Sequence, residues 1–401
     1  MGRMVSYKFR IYPTEEQEEI FAKTFGCCRF VYNYILATIK VIYQREKRFL
    51  SCYEAINLIS ALKRKDGYEW LKEVNSQSLQ ATVINLYSGI TAFFEKRGAF
   101  PKFKNKRKKQ NFRIPQHFSL QKSKRGNWFL CIPKCKSRIR IEVHREVHGV
   151  IKQITITKDC DDRYYASLNC EVSDDHFKRE YSELREEGID LGLKFFAVIS
   201  NGEKVEAPKL LRESEQNLIR AQRRLSRKEI GSANYEKARK KVARLHKIVS
   251  NQRKDFAHKL SSRLVNENHV IYLETLNIAG MIRNRCLAKS IADAGWGEFV
   301  RQLIYKALRR GGKIVFIGMF EPTSKCCSYC GTKNNELKLS DRIWQCKSCG
   351  VWLDRDGNAS RNIKRLGQEM SNVKLVESSA SISPTEGIQV GSVKQEPDSE
   401  S

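Results

Sequence analysis

Two Cys-x-x-Cys pairs, Cys327-Ser-Tyr-Cys330 and Cys346-Lys-Ser-Cys349, stand fifteen residues apart and constrain this chain more than any other feature. Each short turn can aim two thiolates at one point, and two such turns complete a tetrahedral four-thiolate site. Gly331 and Gly350 follow the pairs, where a knuckle needs a permissive backbone. Four thiolates leave no open coordination position, so one structural Zn2+ is expected. Cys326 leaves the register of the first pair open. The start, MGRMVSYKFRIY, reads as having no apolar leader, so the 13 cysteines are expected in a reducing compartment. Cys27, Cys28, Cys52, Cys131, Cys135, Cys160, Cys170 and Cys286 are therefore expected to be packing residues.

Charge is the next constraint. Lys and Arg number 74 against 45 Asp and Glu, a net +29 on 401 residues. Such an excess repels itself in a compact chain unless a polyanion neutralises it. The basic residues are spread along the whole chain and no run of about 18 apolar residues occurs, so nucleic acid is expected as the partner and a membrane is not. In 98–113, Lys102, Lys104, Lys106 and Arg107 lie among Phe100, Phe103 and Phe112. Cations for phosphates and rings for bases suit a polynucleotide. Gln77 and Gln80, on one face of a helix start, can read base edges.

Periodicity divides the chain. Residues 4–12 read as a strand, and Thr14 with Gln17 makes a capping box for a helix reaching about Arg45. Helices over 52–64 and 77–96 follow, then β-rich runs from 127 to 172, which the first strand can join. Residues 173–187 read as a linker. GIDLGLKFFAVISNGEKVEAP at 188–208 reads as a hairpin with a type I′ turn at Asn201-Gly202. A charged helical pair spans 209–267, the strand HVIYL ends in Glu274, and a helix and the strand KIVFIGMF come before the cysteines. A last helix starts at Asp356, and the Ser-rich, acidic stretch 367–401 reads as a disordered tail.

Asp190 and Glu274 each follow an apolar strand, and Asp356 sits at the expected cap of the last helix. An acid directly after an apolar run is costly to bury without a cation. Three converging carboxylates offer hard oxygen ligands that suit Mg2+, and two such ions can flank a scissile phosphate. Asp354 competes for the third place. In a basic protein with this order of elements, the set points to an RNase H-like nuclease.

At these motifs the chain resembles the TnpB family of transposon-encoded RNA-guided DNA endonucleases, related to compact type V CRISPR effectors. The resemblance is carried by YKFRIYPTEEQEEIF, AFPKFKNK, GIDLGLKFFAVIS, VIYLETLNIAGM, GWGEFVRQLIYKA, TSKCCSYCG, CKSCG and LDRDGNASRNI, from about residue 5 to 366. It implies an α/β multi-domain chain: a β-rich wedge domain (1–12 and 98–185), a helical recognition lobe (13–97), a RuvC-like nuclease domain (186–322 and 353–366) and a zinc-binding insert (323–352). It implies that Asp190, Glu274 and Asp356 are the catalytic acids, and its pattern favours Asp356 over Asp354. It also implies a guide RNA from the transposon end, a double-stranded target DNA with a short flanking motif read by the protein, and two Mg2+ at the nuclease centre. A monomeric ribonucleoprotein in the cytoplasm of a bacterium or archaeon, associated with the nucleoid, is expected. A nuclease-silent RNA-guided repressor would lack at least one acid. A protein-only resolvase or transposase would not need the helical lobe or the basic tract.

Overall fold

The computed structural model of the chain describes residues 2–106, 109–177, 181–206, 209–277, 280–281, 283, 290–291, 294–319, 321–338 and 340–377. They form two compact units. One holds the residues up to His176 with Arg239–Ala243; the other holds Phe177–Ala238 and the chain from Arg244 on.

The first unit is built on a seven-stranded sheet. Its strands are β1 (Gly2–Tyr12), β2 (Gln110–Ile114), β3 (Ser119–Lys122), β4 (Trp128–Cys131), β5 (Ile139–Glu142), β6 (Val150–Lys158) and β7 (Tyr164–Ser173), in spatial order β2-β6-β7-β1-β5-β4-β3. As expected, the first strand joins a sheet made far downstream, pairing antiparallel with β7 and β5. Alternation explains why. Val5, Tyr7, Phe9 and Ile11 point inward with Tyr164, Ala166, Leu168 and Cys170 of β7, and the intervening residues face out. Helices α1 (Glu15–Glu46), α2 (Cys52–Leu62) and α3 (Ser76–Phe94) complete the unit. The capping box forms: the Thr14 side chain accepts from the Gln17 amide, and Gln17 Oε1 accepts from the Thr14 amide. By length and composition α1 could cross a membrane. Its Phe21, Phe25, Val31, Ile35 and Leu36 are nevertheless buried, with Phe21 against Phe112 and Tyr164, as in a core helix.

The second unit has a five-stranded sheet of β8 (Glu186–Asp190), β9 (Ala197–Ile199), β10 (Lys204–Val205), β11 (Val270–Glu274) and β12 (Lys313–Ile317), ordered β10-β9-β8-β11-β12. β8, β11 and β12 run parallel, while β9 and β10 are antiparallel additions. Its helices are α4 (Lys209–Ser226), α5 (Ala233–Glu267), α6 (Trp296–Arg310) and α7 (Arg355–Glu377), and β13 (Ile343–Gln345) pairs with β14 (Trp352–Asp354). Strands covered on both faces should be continuously apolar, and Val270–Leu273 are all buried. Ile271 and Leu273 join Ile189 in a core with Leu260, Leu264, Phe299 and Leu303 of α5 and α6. Val270 and Tyr272 face the other way and meet Ile363 of α7. The result is three layers: α5 and α6, the sheet, and α7.

Two glycines let α7 come this close. A Cβ at Gly188 would lie 2.3 Å from the Ser360 carbonyl oxygen and 2.6 Å from the Lys364 amide nitrogen. One at Gly367 would lie 2.0 Å from Tyr272 Cδ1.

Several expectations need correction. Glu186 and Glu187 belong to β8, not to a linker; the Tyr272 hydroxyl and Gln368 both donate to the Glu186 carboxylate. Asn201-Gly202 is not a type I′ turn, because only Gly202 has positive φ, +97°. Asn201 Oδ1 instead accepts from the Glu203 amide, which fixes a three-residue loop. The last helix continues through Gly367 to Glu377, held by Gln368 on Glu186, so the expected tail begins too early; residues 378–401 lie outside the described residues. Cys27, Cys28 and Cys170 are buried as expected, Cys160 is exposed, and Cys286 lies outside the described residues.

Candidate active site and cysteine centre

The sheet register brings two of the acids together. In the parallel pairing of β11 with β8, Leu273 stands opposite Ile189, so Glu274 is level with Asp190 at the carboxyl ends of neighbouring strands. The pleat turns both toward the α7 side, since Ile189 and Leu273 face α5 and α6. Asp356 arrives on the first turn of α7, where a negative charge is favoured by the helix amides. A crevice beyond the carboxyl ends of parallel strands is where open α/β sheets bind ligands.

Burial first, and then the nearby charges of Glu274 and Asp356, together push the Asp190 carboxyl up to about 7 against an opposing pull from Arg355. Among the described residues no hydrogen bond or ion pair reaches the Asp190 carboxylate. Glu274 accepts from the Thr323 hydroxyl at 2.5 Å. Asp356 is met by the Arg342 guanidinium at 3.3 Å. Asp190, Asp356 and Arg342 line one cleft of about 330 Å³ with Phe195 and Trp296. Among the described residues, Asp356 alone of the three carboxylates has an ion-pair partner, Arg342, which leaves an excess of negative charge that a hard divalent cation would relieve.

Asp354 is placed differently. Its Oδ1 accepts from the Gly357 amide at 2.9 Å and its Oδ2 pairs with Lys204 at 3.0 Å. Burial pushes its carboxyl up, but these two partners outweigh it and hold the group below the usual range. Asp354, not Asp356, thus caps the last helix, and Asp356 is left within the first turn facing Asp190. Sequence reasoning placed the cap on Asp356, two residues beyond the carboxylate that captures the Gly357 amide.

The four cysteines converge. Cys327, Cys330, Cys346 and Cys349 bring all their sulfurs within 4.8 Å of one another. Cys327 and Cys349 lie 3.6 Å apart, and Cys330 and Cys346 3.5 Å. Tetrahedral ligation at a Zn–S length of about 2.3 Å requires S···S separations of roughly 3.8 Å, so the set fits such an ion. Both knuckles close in the same way: the Gly331 amide donates to Cys327 O, and the Gly350 amide to Cys346 O, each at 2.9 Å. These glycines have φ of +77° and +74°. Cys326 takes no part; its carbonyl faces α7, which settles the register on Cys327.

The expected nucleic-acid residues that are described belong to the first unit and differ in their surroundings. Gln80 is exposed, whereas Gln77 is half-buried and donates from Nε2 to Gln116 at 3.1 Å. Lys102 and Lys106 are exposed, and Arg107 lies outside the described residues. The Lys104 backbone is clamped by Asn33 and its ammonium sits 4.1 Å from the Tyr32 ring centroid, where burial lowers its pKa. The aromatic interleaving is largely structural: Phe112 is buried against Phe21 and Phe25, and Phe100 packs on Phe93. Phe103 is exposed with Lys40 over its ring. Arg342 was missed, and Thr323, Asn358 and Asn362, though they lie within the motifs TSKCCSYCG and LDRDGNASRNI, were given no role, since their partners come from other elements.

Family comparisons match residues 167–285 to a family described as "Probable transposase" (OrfB, IS605), residues 1–48 to its "Helix-turn-helix domain", and residues 296–363 to a "Cas12f1-like, TNB domain". In this chain residues 2–46 form one strand and one long helix rather than a helix-turn-helix. A Streptomyces pristinaespiralis protein named "Putative RNA-guided DNA endonuclease" is 36% identical over 364 residues, covering 90% of this chain and 89% of the relative. The Escherichia coli K12 protein "Putative RNA-guided DNA endonuclease InsQ" is 30% identical, covering 97% and 99%. Among solved structures, the Cas12f1 chain of a complex with single-guide RNA and target DNA has a TM-score of 0.58 at 14% identity, over 88% of this chain and 83% of that one. A mini RNA-guided endonuclease, CRISPR-Cas_phi3, has a TM-score of 0.54 at 9% identity, over 91% and 92%. These two likenesses concern the fold, a mixed α/β multi-domain architecture. The two relatives, at 36% and 30% identity, span 90% and 97% of the sequence, and the chain belongs to the IS605 OrfB family of TnpB-like proteins.

Proposed function

We propose that this protein is an RNA-guided DNA endonuclease of an IS605-type transposon, with Asp190, Glu274 and Asp356 as its catalytic acids. The observation that carries this reading is Asp190 and Glu274 level at neighbouring strand ends with Asp356 close by on α7, their charges and burial together raising the Asp190 carboxyl to about 7. The relatives' names support it, as does the net charge of +29, which suits an RNA and a DNA partner. The five-stranded sheet with α7 is assigned as the RuvC-like nuclease domain, 13–97 as the recognition lobe, and 1–12 with 98–185 as the wedge.

The three acids would hold two Mg2+, which when bound supply an activated water and neutralise the leaving oxygen. The residues prepare that chemistry. Asp190 must lose its proton to become a ligand, and burial, with the two neighbouring carboxylates, holds that proton more tightly than in a free carboxyl. Glu274 is oriented by Thr323. Arg342, always charged, balances Asp356 and is placed to take a phosphate oxygen of the entering strand. Asp354 and Lys204 anchor the start of α7 and need touch no substrate.

The four cysteines are assigned one structural zinc. Cys346→Ser should reduce bound zinc from one per chain to none, because a buried knuckle loses a ligand, and should make 323–352 sensitive to protease. Elemental analysis with limited proteolysis checks this; unchanged zinc would refute the four-cysteine assignment.

The guided reading is tested by expressing the gene with its flanking DNA, purifying the protein through high salt and sequencing the bound nucleic acid. A discrete RNA from the element's end, whose variable segment reprograms the cut site, is expected. Heterogeneous or absent RNA would leave the acid centre standing and refute guidance.

A further inference from the structure

The carboxylate of Glu274 is held by a residue from just before the first cysteine knuckle. Thr323 is 6% exposed, and its hydroxyl donates to Glu274 Oε1. Its hydroxyl therefore fixes which way that oxygen's lone pairs point.

Thr323 is in turn fixed from α7. Asn358 and Asn362, one helical turn apart, share a face of the helix, and each is 1% exposed. Asn362 Nδ2 donates to Thr323 O and to Cys326 O, both at 2.7 Å. Asn358 Nδ2 donates to Cys326 O at 2.6 Å, and Asn358 Oδ1 accepts from the Ser328 amide at 2.8 Å. Ser328 and Cys326 flank Cys327. A helix whose first turn carries Asp356 is thereby stitched to the cysteine knuckle, and the stitch also holds the residue that aims Glu274. Buried amides with nearly every donor used on backbone carbonyls make a rigid support.

We propose that Thr323 is a positioning residue that sets the affinity of the acid centre for divalent cations, and that Asn362 holds it in place against the knuckle. This rests on the nuclease reading above. Groups that orient metal-ligating carboxylates typically contribute ten- to a hundredfold in metal affinity. Valine matches threonine in shape but cannot donate, and serine can.

The test is Mn2+ binding to the full chain, followed by electron paramagnetic resonance, with Asp190→Ala defining the signal that belongs to the acid centre. Thr323→Val should weaken that site about tenfold or more, Thr323→Ser should stay within about twofold of wild type, and Asn362→Leu should weaken it several-fold. Zinc content should stay unchanged in Thr323→Val, which separates positioning from loss of the knuckle. Equal Mn2+ affinity in Thr323→Val and wild type would overturn the positioning role. An unaffected Asn362→Leu would overturn the link to the knuckle. A wild-type protein with no Mn2+ site sensitive to Asp190 would overturn the nuclease reading itself, and this proposal with it.

Discussion

Asp190→Asn should abolish DNA cleavage, by at least about a thousandfold, and at the same time make the cation-free protein more stable at neutral pH. The folded-state pKa of Asp190 is raised from 3.8 to about 7. Between those values the folded chain holds a proton that the unfolded chain has released, so stability falls as pH rises through this window. The gap is about three units at roughly 1.4 kcal/mol each, an upper bound near 4 kcal/mol. Partial exposure of the group reduces this to about 2–4 kcal/mol. Asn keeps the shape and has no charge to bury, so its advantage should be largest near pH 8 and fade toward pH 4. Adding Mg2+ should stabilise wild type and leave the variant unchanged. Chemical denaturation with chelator at the two pH values measures this. A variant less stable than wild type at pH 8 would mean that the carboxylate is satisfied by the protein itself.

Gly188→Ala should cost activity far out of proportion to its size. The added Cβ would meet two backbone atoms of α7, at 2.3 and 2.6 Å, and backbone cannot rotate aside. The helix must move off the sheet, at a cost of about 1–3 kcal/mol for an overpacked contact. Gly188 lies two residues before Asp190, and Ser360 one turn after Asp356. The displacement therefore acts on the distance between two of the proposed catalytic acids, and a shift near 1 Å is enough for about a hundredfold loss in rate. Guide and target binding should persist. Gly26→Ala, in a helix with nothing within 4 Å of the new Cβ, is the control and should be neutral or slightly stabilising. Equal cleavage rates in Gly188→Ala and wild type would show that the α7 approach does not set the geometry of the centre.

These residues also show how far the chain could be read without a structure. Cys327, Cys330, Cys346 and Cys349 were legible because a knuckle is a local device: the spacing and the following glycine carry the geometry. Asp190 and Glu274 were legible because an acid at the end of an apolar strand has few inexpensive explanations. The choice between Asp354 and Asp356 could not be made from the residues themselves; it depends on which carboxylate captures the Gly357 amide. Phe112 looked like a stacking ring because its neighbours are basic, but a period-two strand sends it into the core beside Phe21. The helix beyond Gly367 was hidden by a Ser-rich composition, and only the partner of Gln368, far back at Glu186, reveals it. Thr323, Asn358, Asn362 and Arg342 were illegible for a common reason. Each acts on a group from a different element, and that pairing exists only once the chain has packed.

The order in which the acids enter the sheet has a consequence for the cell that makes this protein. Asp190 and Glu274 lie on strands in the middle of the chain, but Asp356 comes with α7, the last described helix, which also covers one face of the sheet. A polypeptide emerging from the ribosome folds from its amino end. Until α7 has emerged and docked, the nascent chain has a sheet with a bare apolar side and only two of three charges. On the proposed assignment of the acids, a product that stops before α7 would lack Asp356 and would leave that apolar face of the sheet uncovered.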